Sequence, residues 1–236
     1  MTRRSAIIVV QTNSIKTDFW RKPNENTIVY YEFNWNLNDS SWNNRNLSMT
    51  LWSFSYSSLA SWWKYVQTNT SAYSSTITIP FSRVATISFF LSYTPNTHWY
   101  NWWTILELIN LSYSSWNLVR PVYYRTWSSS TALRLLNNDS IWYNPSVAES
   151  RHYYCFTLDE NHTKLYVDWQ LVAEWWAIVD SNLTSMVLRI NSVEWNNRQN
   201  YAWNCKLWEL IIESKTRISQ EQQSYFNKMK NLYWIS

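Results

Sequence analysis

The side chains that could carry chemistry in this chain are few and loosely grouped. Glu209 and Glu213 stand four residues apart in Glu209-Leu210-Ile211-Ile212-Glu213, and paired carboxyls are what glycoside hydrolysis uses. That reaction needs its two carboxyls about 5–9.5 Å apart, one with a tuned pKa. On a strand, residues i and i+4 share a face with Cα atoms roughly 13 Å apart, and Ile211 between them lends no help. The pair therefore reads as two rim carboxylates on a strand. His98, His152 and His162 show no metal-ligand spacing with one another or with Cys155 and Cys205. The two cysteines belong to no CxxC pair; a disulfide in an oxidising compartment and two buried thiols are both compatible with them. Asp39, in Asn38-Asp39-Ser40, has the form of an Asx-turn.

The elements that must position these residues read as strands. The first is Thr27–Phe33, rich in β-branched and aromatic residues, and a polar turn from Asn34 to Arg45 follows it. Further strand-like runs are expected at 46–51, 64–68, 75–80, 85–93, 104–110, 118–125, 132–136, 152–158, 163–167, 170–173, 185–191 and 206–213, separated by Asn, Ser, Thr and Trp. No fixed period repeats, so a propeller or solenoid is not indicated. One stretch is helical, Ile218–Leu232: Ser219 and Gln222 have capping-box spacing, and Tyr225, Phe226, Met229 and Leu232 recur along one face. Residues 1–26 read as a lead-in or linker, and residues 27–236 as one domain.

Lys164-Leu165-Tyr166-Val167-Asp168-Trp169-Gln170-Leu171-Val172 alternates as a β-hairpin does, but its tip is Asp-Trp where Asp-Gly is the strong signal. The chain has 236 residues, no glycine and 19 tryptophans. A domain of this length ordinarily carries about 7% glycine, roughly 16 residues. Trp35, Trp42, Trp116, Trp127, Trp195 and Trp203 all sit in polar turn clusters where glycine belongs. Most of the tryptophans are therefore expected to stand for glycine encoded by UGA. Reading them as glycine produces no Walker loop, Rossmann fingerprint or G-x-S-x-G elbow.

The formal charge is +4, yet only 15% of residues are charged and the basic ones are scattered. Thr2-Arg3-Arg4 is the nearest approach to a cluster, so a nucleic-acid partner is not expected. The apolar run Ala6–Val10 is too short for a signal-peptide core and far too short to span a bilayer.

Three segments together resemble the laminin-G-like, concanavalin A-like lectin/glucanase superfamily. They are Tyr30–Asn43, once Trp35 and Trp42 are read as glycine; Lys164–Val172, preceded by the His-containing His152–Asp159; and Lys206–Glu213 followed by Ile218-Ser219-Gln220-Glu221-Gln222. The resemblance implies an all-β fold, a two-sheet antiparallel jelly-roll sandwich with one C-terminal helix. It also implies a non-catalytic carbohydrate-binding or adhesion module, extracellular or on the cell surface, with a glycan or cell-surface protein as partner. Calcium is implied as cofactor, held by Asp39 on the opening turn and Glu209 on the last strand, since calcium collects carboxylate and carbonyl oxygens. The alternatives are a glycan hydrolase of the same fold and a structural module of a surface or phage particle. The hydrolase branch carries E-x-D-x-E on one strand, and here Ile211 replaces the central aspartate.

Overall fold

The computed structural model describes residues 23–33, 36–47, 55–60, 63–68, 76–93, 101–109, 123–127, 130–135, 141–143, 151–160, 162–175, 184–192 and 205–233. They form two antiparallel sheets and a helix. In the first sheet the order is β12 (Gln170–Trp175), β11 (Thr163–Val167), β10 (His152–Leu158), β5 (Ala85–Tyr93), β14 (Cys205–Glu213), β3 (Trp63–Thr68) and β2 (Ser55–Ala60). β1 (Thr27–Tyr31) pairs with the second half of β14, beyond the part that β3 covers. The second sheet runs β4 (Thr76–Pro80), β13 (Ser185–Ser192), β6 (Asn101–Ile109), β7 (Tyr123–Trp127), β8 (Ser130–Leu135) and β9 (Ile141–Tyr143). The chain passes between sheets repeatedly, giving the jelly-roll sandwich expected from the sequence.

Alternation along the strands builds two apolar layers. Ala85, Ile87, Phe89 and Leu91 of β5, with Tyr154, Phe156 and Leu158 of β10, face Ile79, Met186 and Leu188 of the second sheet. Their neighbours Phe90, Tyr153 and Cys155 point the other way, under α1 (Ser219–Tyr233), which covers them with Tyr225, Phe226 and Met229. At β5 and β10 the first sheet is thus buried on both faces, which explains the dense run Ile87-Ser88-Phe89-Phe90-Leu91. Cys155 is a buried thiol of this outer layer, so of the two open readings the structure takes the buried thiol at this residue.

A β-bulge in β14 matters for the site residues. Leu207 pairs with Leu91 and Glu209 with Phe90, so Trp208 and Glu209 both lie on the helix side. Glu209 accepts a hydrogen bond from the Tyr225 hydroxyl of α1. Gln222 accepts one from the Tyr153 hydroxyl at 2.8 Å. Its side chain therefore reaches into the layer beneath the helix, where a capping box would have turned it back to Ser219.

Differences from the expected elements are local. β2 and the three-residue β9 were not expected, because Ser55-Tyr56-Ser57-Ser58 reads as polar and Ile141–Tyr143 is too short to show a period. The strand expected at 118–125 is β7, two residues later at its end. Of the strand expected at 46–51, residues 46 and 47 are irregular and 48–51 lie outside the described residues. Most of the lead-in, residues 1–22, lies outside them too. Asn24 and Asn26 are joined to the end of β14: Asn24 Nδ2 donates to Glu213 Oε1 at 3.4 Å, and Ser214 N to the Asn26 carbonyl at 2.8 Å.

Candidate functional site

Among the described strands, β1 has a ladder partner on one side only, β14. Its other edge is closed by the loop of residues 37–47, and Asp39 is what shapes that loop. The Asp39 carboxylate lies within the fold, where Oδ1 accepts from the backbone N–H of Tyr30 and of Ser41, both at 2.9 Å. Oδ2 accepts from Ser41 Oγ at 2.6 Å and from Arg45 N at 3.1 Å. Ser40 N donates to the Tyr30 carbonyl at 2.7 Å, completing a bridge in which Tyr31 faces Asp39. Asn44 takes φ 53°, a left-handed conformation that asparagine accepts readily.

So held, the loop aims two polar side chains at β1. Asn43 Nδ2 donates to the carbonyls of Thr27 and Ile28 at 2.8 and 3.1 Å, and the Arg45 guanidinium donates to Ile28 O at 2.5 Å. The Tyr31 hydroxyl donates to the Arg45 carbonyl at 2.6 Å. Burial, reinforced by the Asp39 charge and partly offset by Arg45, pushes this phenol well above the usual tyrosine value, so it stays a donor.

Asn43 and Arg45 form one wall of an open groove of about 480 Å³. Phe81, Ser82 and Thr184, beside the ends of β4 and β13, and Glu25 line it as well. Amide, guanidinium, hydroxyl and carboxylate groups thus surround a partly apolar floor, the mixture that orients a polar ligand in a ligand-sized cleft. Trp42, on the same loop, is 75% exposed.

The two residues expected to share calcium are committed elsewhere. Asp39 meets four N–H or O–H groups, whose hydrogens would face an approaching cation. Glu209 is bonded to Tyr225 beneath the helix. A calcium ion wants six to eight oxygens; among the described residues no group of three or more His, Cys, Asp or Glu side chains gathers around a common point. These residues do not fit the ion. Glu209 and Glu213 are also no rim pair: both are buried, and Glu213 is gripped by the Arg217 guanidinium, whose Nε donates to Oε2 at 2.6 Å and whose second nitrogen bonds Oε1. So enclosed, the two carboxylates are not offered to a substrate.

Sequence reading passed over Asn43 and Arg45. The succession Asp39, Ser41, Asn43 was a signal of side-chain-capped turns, but what those turns cover is decided by a strand distant in sequence. His152 and Asp168 are likewise brought together, Nδ1 to Oδ2 at 2.5 Å, where the start of β10 meets the tip between β11 and β12.

No protein-family model matches the chain, and neither does any curated protein. Among solved structures it is similar to the binding domain of Paraclostridial Mosquitocidal Protein 1, at 13% identity over 87% of this chain and 53% of that one, with a TM-score of 0.62. It is similar to domain 4 of AbnA, a GH43 extracellular arabinanase from Geobacillus stearothermophilus, in complex with arabinotriose: 15% identity, 85% of this chain, 98% of that one, TM-score 0.58. A third is botulinum neurotoxin type C, whose cell entry depends on interaction with two ganglioside molecules: 11% identity, 86% and 51% covered, TM-score 0.60. This chain spans about half the length of the two toxin chains. The likeness is one of fold: a β-sandwich. Among the described residues no helix is long and apolar enough to cross a membrane.

Proposed function

We propose that this domain is a non-catalytic carbohydrate-binding or adhesion module, displayed extracellularly or on a cell surface, which takes a short glycan segment in the groove beside the 37–47 loop. The observation that carries the reading is that Asn43 and Arg45 are held rigidly at the groove wall by the Asp39 network. Fixed donors and acceptors on a partly apolar floor suit sugar hydroxyls, because a pre-positioned wall loses little freedom on binding. The fold neighbours support the same class: one is solved with arabinotriose and another depends on gangliosides.

Calorimetric titration with arabinotriose and with sialyllactose tests the proposal, alongside a glycan array. Binding that falls about tenfold in Arg45→Gln supports it. Silence across the array, or binding indifferent to Arg45, removes the groove. Release of reducing sugar, lost in Glu213→Gln, would revive the hydrolase alternative, and self-assembly without sugar binding would favour a structural particle module. Calcium through Asp39 and Glu209 is left out of this reading, because donors already surround the Asp39 carboxylate and Tyr225 holds Glu209; calorimetry with millimolar calcium tests that exclusion.

The replacement of glycine by tryptophan in the turns belongs to the same proposal. Its support is Trp169, whose φ of 74° is a glycine conformation; Trp42 is not among the positive-φ residues. UGG codons at Trp35, Trp42 and Trp169 would end it.

A further inference from the structure

A second surface lies on the outer face of the β11–β12 hairpin. Val167 pairs with Gln170 across the two-residue tip, where Asp168 and Trp169 take φ of 46° and 74°, the primed reversal of tight hairpins. Asp168 is compensated there. Its carboxylate accepts from Tyr153 N at 2.8 Å and meets His152, and its own N–H donates to the Tyr153 carbonyl at 2.9 Å. Trp169 is not compensated in this way, and its Cβ crowds the backbone as a glycine would not.

The indole of Trp169 folds onto Tyr166, with ring centroids 5.0 Å apart and planes only 6° from parallel. Tyr166 points outward on the helix side of the sheet, opposite Cys155 in register. Across the ladder its partner is Leu171, 50% exposed. Two residues back on the same face, Lys164 meets Glu174 at 3.3 Å, and that hydrogen bond holds the lysine above its ordinary pKa. A flat ring thus lies between an aliphatic flank and a donor–acceptor pair. A pyranose offers the matching parts, an apolar C–H face to stack and hydroxyls at its margin to bond.

We propose that the Tyr166 face is a second carbohydrate subsite, for a neutral pyranose, covered in this chain by the Trp169 indole and uncovered when position 169 is glycine. The near-parallel indole marks the space: the face admits one flat group at stacking distance. Glycine is also the residue that the turn accepts without strain, so the change that relaxes the backbone opens the subsite. This inference stands apart from the groove.

The test compares four full-length proteins on an array of neutral gluco-, galacto-, manno- and xylo-oligosaccharides: the chain as it stands, Trp169→Gly, Trp169→Gly with Tyr166→Phe, and Trp169→Gly with Tyr166→Ala. Melting curves first establish that each is folded. The expected result is a gain of about tenfold or more in Trp169→Gly on at least one neutral pyranose series, kept by Tyr166→Phe and abolished by Tyr166→Ala. A glycine variant indistinguishable from the parent across the array overturns the proposal, and so does a gain that survives Tyr166→Ala. Arg45→Gln in the glycine background separates the two sites. Loss of groove binding with the hairpin gain intact leaves this inference standing, and absence of any groove binding does not touch it.

Discussion

Replacing Asp39 by alanine should unfasten the 37–47 loop from β1. The carboxylate accepts four hydrogen bonds, two of them from buried backbone N–H groups, those of Tyr30 and Ser41. A hydrogen bond to a charged group is worth about 1.5–3 kcal/mol, and a buried donor left without a partner costs about 1–3 kcal/mol. The full sum is not expected, because the four bonds share one acceptor and are not additive, and water reaches the Arg45 and Ser41 side once the loop relaxes. The net loss should be about 3–5 kcal/mol, appearing as a fall in melting temperature of about 6–20 °C for a domain of this size. Asp39→Asn keeps the shape and one acceptor oxygen, and should lose roughly half as much. Thermal and urea denaturation of the two variants measure this directly. Because the site is built for a carboxylate among donors, millimolar calcium should shift neither parent nor variants. An Asp39→Ala protein melting within about 2 °C of the parent would refute the reasoning. A calcium-induced rise in the parent that Asp39→Asn abolishes would do the same.

Three further outcomes follow from particular contacts. Arg217→Ala takes the guanidinium away from the buried Glu213 carboxylate and should cost about 3–5 kcal/mol in urea unfolding, whereas Arg217→Met with Glu213→Leu should recover most of that loss; equal losses in single and double variants would contradict it. Trp169→Gly removes backbone strain of about 1–3 kcal/mol and gives up a ring stack of about 0.5–1.5 kcal/mol, so the melting temperature should rise; a fall would mean that the stack outweighs the strain. Met229→Asp places a charge in the layer between α1 and the first sheet, and Cys155 should then react quickly with a thiol reagent that scarcely labels the parent. Fast labelling of the parent at Cys155, located by peptide mapping, would mean that the helix does not shield that layer.

The sequence was most legible in strands with a fully buried face. β5, β10 and β11 occupy the residues expected of them, because β-branched and aromatic side chains leave few other conformations. The helix was equally plain from Tyr225, Phe226 and Met229. Less legible were features fixed by long-range pairing. The bulge that turns Trp208 and Glu209 to the same side arises from the register of β14 on β5, which no local pattern in Lys206–Glu213 betrays. Asp39 has the sequence form of an Asx-turn and, through the resemblance, of a calcium ligand. The turn is there, but its donors come from Tyr30 and Arg45, on either flank. Glu213 has the look of a solvent-facing carboxylate until Arg217, in the stretch leading to the helix, comes to rest against it.

The loop beside β1 has one more consequence, for how such a module can change. An exposed strand margin invites another chain to add itself, and here Asn43, Arg45 and Ser40 occupy the carbonyls that an intruding strand would seek. Two of those three also line the groove. If the groove takes the proposed ligand, a lineage altering them to change its preference would at the same time unseal β1, so shifts of preference should come instead from Phe81, Ser82 and Thr184, which make none of these seals.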